Sequence, residues 1–176
     1  MAVSDSSPPK FAERKRVLLV VDLAGSARLV ARFDAVRLAE LIDAFYAACG
    51  RVITAHGGKI VKFIGDGCLA VFDEEAGPEA VTTALELRGA VADALRQFDI
   101  EAELGVNIHQ AVVAEGNFGP DEQYDITGTG VFHVFRMGAG PGIRISEPVY
   151  RQLPSGERSP WNKQRPPATY TFGDAR

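Results

Sequence analysis

A chain of 176 residues with 46% hydrophobic and 24% charged side chains falls in the range of one globular domain and outside that of disordered chains. Its 19 basic and 23 acidic residues leave a net charge of −4, so no broad basic field invites nucleic acid. Two cysteines, Cys49 and Cys68, are too few for a disulfide framework and point to a reducing, cytoplasmic compartment. No apolar run reaches the roughly 20 residues that span a bilayer, and the Ser/Pro-rich stretch from Met1 to Lys10 lacks the apolar centre of a signal peptide. The expectation is a flexible tail over residues 1–14 and a single domain over 15–176, with no membrane and no nucleic-acid partner.

Arg16 to Leu23 is an apolar, β-branched run with one aspartate near its end, the pattern of a strand buried on both faces. Gly25 breaks it, and Ser26 is a suitable N-cap. From Asp34 to about His56 the spacing predicts a helix, with Val36, Leu38, Leu41, Ile42, Phe45, Ala48 and Val52 on its buried stripe. Gly57 and Gly58 supply the stop. Lys59 to Phe63 and Cys68 to Phe72 read as two strands joined at Gly65-Asp66-Gly67, a hairpin signal. Pro78 to Phe98 predicts a second helix buried along Val81, Ala84, Leu85, Leu87, Val91 and Leu95. Strand character returns over Glu101 to Ala114, followed by a loop over Gly116 to Gln123, a mixed segment over Tyr124 to Met137 and a strand at Ile143 to Ile145. Trp161 falls in what reads as an exposed C-terminal loop before a last strand, Ala168 to Phe172. The order β-α-β-β-α-β predicts an α+β fold: a ferredoxin-like core with an antiparallel or mixed sheet, C-terminal additions and helices on one face.

Asp22 is costly inside an apolar strand unless it is paired or binds a cation. Asp66 stands at the tip of the following hairpin. If the two strands are neighbours, both carboxylates converge at one end of the sheet, as a hard divalent cation with bound phosphates requires. A turn aspartate and a strand-end cap are the plainer readings of each residue alone. His56, His109 and His133 are scattered without metal-ligand spacing, and Cys68 reads as a small core residue.

Asp22 in VVDLAGSARL, Lys62 and Asp66 in KFIGDGCLAVF, and the segment GNFGPDEQYDITGTGVFHVFRM together resemble the class III nucleotide cyclases, the adenylate and guanylate cyclase catalytic domain. The resemblance spans about Val17 to Leu153. It implies that Asp22, Asp66 and the backbone carbonyl of Leu23 hold two Mg²⁺ or Mn²⁺ ions per active site. It places Lys62 and Asp125 at the base-reading positions and Arg136 at that of the transition-state arginine. It also implies a homodimer with two interfacial sites, each drawing on both chains. A lysine donor and an aspartate acceptor complement N1 and the exocyclic amine of adenine and mispair with guanine, so the resemblance favours ATP, converted to cyclic AMP and pyrophosphate.

Three departures accompany the resemblance. Phe132 takes the place of the family's ribose-holding asparagine and has no hydrogen-bonding group. His133 is the nearest polar substitute, about 100° round the helix. In place of the lysine- and glycine-rich C-terminal hairpin stands NKQRPPATYTF, in which Lys163 or Arg165 would supply charge to the triphosphate. Pro166 and Pro167 are expected to prevent regular pairing there. The alternative these departures leave open is a cyclase-like protein that binds nucleotide or dimerises with little turnover.

Overall fold

The computed structural model describes residues 9–164 and 168–173. In chain order the elements are β1 (Phe11–Leu23), α1 (Ser26–Val30), α2 (Ala35–Ala55), β2 (Lys59–Ile64), β3 (Gly67–Phe72), α3 (Gly77–Leu95), β4 (Leu104–Phe118), β5 (Gln123–Thr127), α4 (Thr129–Arg136), β6 (Gly142–Ser146), α5 (Glu147–Gln152), β7 (Trp161–Gln164) and β8 (Thr169–Phe172). The β-α-β-β-α-β core is present, and the eight strands form one mixed sheet. Its order is β2-β3-β1-β4-β6-β8-β7, with β5 attached to β4. Only the β4–β6 pair is parallel among the described strands.

β1 is central because its residues Val17–Val21 are apolar on both faces. All five are buried, and each is worth about 1.5–3 kcal/mol relative to exposure. One face, with Val17, Leu19 and Val21, packs on Leu41, Phe45 and Ile53 of α2 and on Ala84, Leu87 and Val91 of α3. The other, with Leu18, Val20, Leu69 and Val113, packs on Val134 of α4. Helices therefore cover both faces, not one as expected. A segment read as mixed supplies the second layer because its eight-residue helix is too short to show a clear period. α2 starts where Asp34 accepts a hydrogen bond from the Arg37 N–H at 2.8 Å, which satisfies one of the free donors of the first turn.

Other expectations are corrected by the structure. β1 already begins at Phe11, so residues 11–14 belong to a strand that pairs with β4 and not to the tail. Val36 is 71% exposed, since helical period defines a stripe but not where along it a partner surface begins. Leu85 lies on the rim of the α3 stripe, one 100° step from Ala84, and is exposed. β4 continues through Phe118 and forms a hairpin with β5 where a loop was expected. Trp161 is buried in β7 with its ring edge-on to Phe172. β7 and β8 pair regularly from Trp161↔Phe172 to Gln164↔Thr169, so the prolines do not prevent the hairpin; Arg165, Pro166 and Pro167 lie outside the described residues. Among the described residues no helix is long and apolar enough to cross a membrane.

Candidate functional site

Asp22 is the last but one residue of β1, in register with Gly67 of β3 on one side and Gly105 of β4 on the other. Asp66 occupies the β2–β3 turn, which Gly65 permits by its positive φ of 59°. The Leu23 N–H donates to the Asp66 carbonyl at 3.1 Å, tying turn to strand end. The neighbouring strands thus bring both carboxylates into one cleft of about 200 Å³, which Asn107, Phe135 and Gly138 also line.

Burial, then the charge of Asp66, holds the Asp22 carboxyl above the usual carboxylate range, and Arg144 offsets part of this. Ionised carboxylates crowded in a half-buried cleft gain from a hard cation, which neutralises them and needs only oxygen donors. Among the described residues no group of three or more His, Cys, Asp or Glu side chains could cage a metal. Two carboxylates with room for phosphate oxygens and water suit Mg²⁺ or Mn²⁺, which keep much of their shell outside the protein. The residues present fit such an ion.

Lys62 on β2 and Asp125 on β5 meet although β2 and β5 are not sheet neighbours. The Lys62 Nζ donates to Asp125 Oδ2 at 2.6 Å. Asp125 Oδ1 accepts from the Ile126 N–H at 2.7 Å, which fixes the carboxylate plane. The pair is 41% and 30% exposed, open enough for a ligand to separate it. It lines a second cleft of about 310 Å³ with Val61, Phe118 and Tyr124. One donor and one acceptor stand side by side there, spaced for a heteroaromatic edge. This cleft shares no lining residue with that of Asp22 and Asp66.

α4 places Phe132 and Arg136 one turn apart, both exposed. His133 faces the sheet, its ring 4.6 Å from that of His109. Two of the three histidines that look scattered in sequence, His109 and His133, are therefore neighbours, and His133 is turned away from the position it would need to replace a ribose-holding side chain. Gly130 makes this docking possible, because a Cβ there would collide with the Ala111 methyl. Phe135 projects to the rim of the carboxylate cleft. Lys163 is exposed on β7, with its ammonium 5.5 Å from the Tyr170 ring. Within one chain β4, β6 and β8 separate it from β1, so the structure does not bring it to Asp22. Cys68 is a buried strand residue whose thiol burial pushes up to about 12.

Two residues near the site escaped the sequence reading. Arg144 on β6 donates to the carbonyls of Ala139, Gly140 and Pro141, holding the chain between α4 and β6 and placing a positive charge near Asp22. Asn107 stands inside the apolar stretch of β4, 3% exposed. The signal for it was available: a polar side chain within LGVNIH is costly unless it has a partner.

Residues 13–165 match the sequence model described as the Adenylate and Guanylate cyclase catalytic domain. An uncharacterized protein of Mycobacterium tuberculosis, Rv1320c, is 31% identical over 131 residues, covering 72% of this chain and 23% of that protein. A second from the same organism, Rv1319c, is 30% identical over 121 residues, covering 67% and 22%. The chain thus spans less than a quarter of the length of these relatives. The structure of the guanylyl cyclase Cya2 superposes with a TM-score of 0.82 at 22% identity, covering 93% of this chain and 94% of that one. The adenylyl cyclase CyaB from P. aeruginosa gives 0.79 at 21%, covering 96% and 98%. Both show the same fold.

Proposed function

Because the chain belongs to the adenylate and guanylate cyclase catalytic domain family, we propose that it converts ATP to 3′,5′-cyclic AMP and pyrophosphate at a site shared between two copies. The observation that carries the choice of nucleotide is the Lys62–Asp125 pair, a donor and an acceptor 2.6 Å apart in an open cleft. The Lys62 ammonium donates to adenine N1, and Asp125 accepts from the exocyclic amine. Guanine offers a donor and an acceptor in the reverse places and would leave both protein groups mispaired.

Asp22, Asp66 and the Leu23 carbonyl would hold two divalent cations, Mg²⁺ or Mn²⁺. When bound, these ions lower the pKa of the ribose 3′-hydroxyl and offset the triphosphate charge. Arg136 places its guanidinium on the α-phosphoryl oxygens, where charge grows as the 3′ oxygen attacks and pyrophosphate leaves. Lys163 or Arg165 would supply positive charge to the departing pyrophosphate. The base-reading pair and the carboxylates line separate clefts of one chain, and Ile64, Phe132 and Phe135 stay exposed. A second copy covering this side would complete each site with the other chain's residues.

Phe132 favours a second reading, a nucleotide-binding or dimerising protein with weak turnover. It is 63% exposed, one turn before Arg136, and offers the ribose no hydrogen bond. Loss of such positioning costs on the order of 10²-fold in rate. Purified protein with Mn²⁺ and ATP, beside GTP and beside Asp22→Ala, distinguishes the readings. Cyclic AMP formed from ATP in preference to GTP, and lost in the variant, is the expected result. Nucleotide binding without product would establish the second reading in its place.

A further inference from the structure

Among the described residues three buried side-chain polar atoms lack a hydrogen-bond partner: Asn107 Oδ1, His109 Nδ1 and Ser146 Oγ. Of these residues only Asn107 lines the cleft of Asp22 and Asp66. Its neighbours in β4, Val106 and Ile108, are wholly buried. A bare amide oxygen in such a strand is stabilised only by a partner that arrives from the cleft.

The amide has one orientation. Asn107 Nδ2 donates to the Gly138 carbonyl at 3.0 Å, and the flipped amide would set oxygen against oxygen. Oδ1 is therefore the free end. Its distance from the carboxylates along the sheet is short. Asn107 is in register with Val20 and Gly105 with Asp22, so Asn107 and Asp22 share the face that α4 covers. A Cβ on Gly105 would stand 2.6 Å from Asp22 Oδ1, which shows that the carboxylate lies over β4 above Gly105. The next β4 residue on that face, two positions along, is Asn107.

We propose that Asn107 is a further ligand of the cation site, its Oδ1 joining the Asp22 and Asp66 carboxylates on one divalent ion. This rests on the cation site proposed above and adds to it a neutral donor. An amide oxygen is a hard ligand of the kind Mg²⁺ and Mn²⁺ accept. It also brings no third negative charge into a cleft where Asp22 and Asp66 already repel one another. The same side chain holds Gly138, so ion binding is linked to the chain segment that follows α4.

The test is a titration with Mn²⁺ alone, without nucleotide, in which paramagnetic resonance counts the free ion. Wild-type protein is compared with Asp22→Ala, Asn107→Ala and Asn107→Leu, each checked for folding by circular dichroism. Asn107→Ala is expected to raise the Mn²⁺ Kd about tenfold or more. Water-proton relaxation by the bound ion should rise as well, because water takes the vacated position. Asn107→Leu keeps the volume but removes the oxygen, so it should weaken Mn²⁺ binding likewise, and it carries the test if the alanine variant fails to fold. Wild-type affinity and relaxation in Asn107→Ala, or a wild-type Kd in Asn107→Leu, would overturn the proposal while a binding loss in Asp22→Ala upholds the cation site. If Asp22→Ala titrates like wild type, the cation site itself falls and the role of Asn107 with it.

Discussion

His109 packs against His133 on the α4 face of β4, and burial, then the neighbouring imidazole, lowers its pKa to about 4. An unfolded histidine titrates near 6.5. The unfolded chain therefore takes up this proton first, so the stability that neutral His109 contributes is complete above about pH 6.5 and is lost as pH falls toward 4. Glu115 acts in the same direction at lower pH, because Arg16 holds its carboxylate below the usual range. Urea unfolding at pH 7 and pH 5 separates the two. Wild type should lose stability between these pH values, and His109→Gln should lose measurably less. An identical loss in both would place the acid sensitivity elsewhere. At this scale Asp22, Asp66, Lys62 and Asp125 were legible because each stands in a local motif. Asn107 showed only that it needs a partner, which is the Gly138 carbonyl 31 residues on, and Arg144 comes near Asp22 only through the fold.

α4 depends on a close approach that one residue permits. Gly130 sits against Ala111 of β4, where a Cβ has no room, so Gly130→Ala must push the helix outward. Overpacking of this kind costs about 1–3 kcal/mol. The same displacement moves Arg136 at the far end of the helix, and if Arg136 is the transition-state group proposed above, its misplacement lowers the rate on the order of 10²-fold. Urea denaturation together with kcat should show both effects. A variant with reduced stability and wild-type kcat would mean that Arg136 is not held through this contact. The sequence left α4 indistinct for the same reason that it is fragile: eight residues between glycines carry little period, and two of its aromatic residues face outward. The C-terminal hairpin was misread in the opposite sense. Pro166 and Pro167 count against a strand only if they fall within the ladder, and the register among the described residues runs from Trp161↔Phe172 to Gln164↔Thr169.

The molecule as a whole carries two separate clefts, one lined by Asp22 and Asp66 and one by Lys62 and Asp125. If each active site takes one half from each copy, then Asp22→Ala and Asp125→Ala should each be inactive alone and complement on mixing. Random exchange makes half of the dimers heterodimers, and each of these has one intact site of two, so about a quarter of wild-type cyclic AMP formation should return. Recovery should rise with protein concentration as dimers form. Mixed variants that remain inactive while exchanging subunits would place the whole site within one chain.

The sequence by itself determined the α+β class and the strand and hairpin that present Asp22 and Asp66. Those features depend on local period and turn chemistry, which neighbouring residues carry. Only the tertiary structure decided that helices cover both faces, that Lys62 and Asp125 touch across strands that are not sheet neighbours, and that Asn107 opens onto the carboxylate cleft. Such placements arise from register and strand order, and these depend on contacts between residues far apart in the chain. A polar residue in a buried strand declares that it needs a partner; which partner it finds is set by the strands folded beside it.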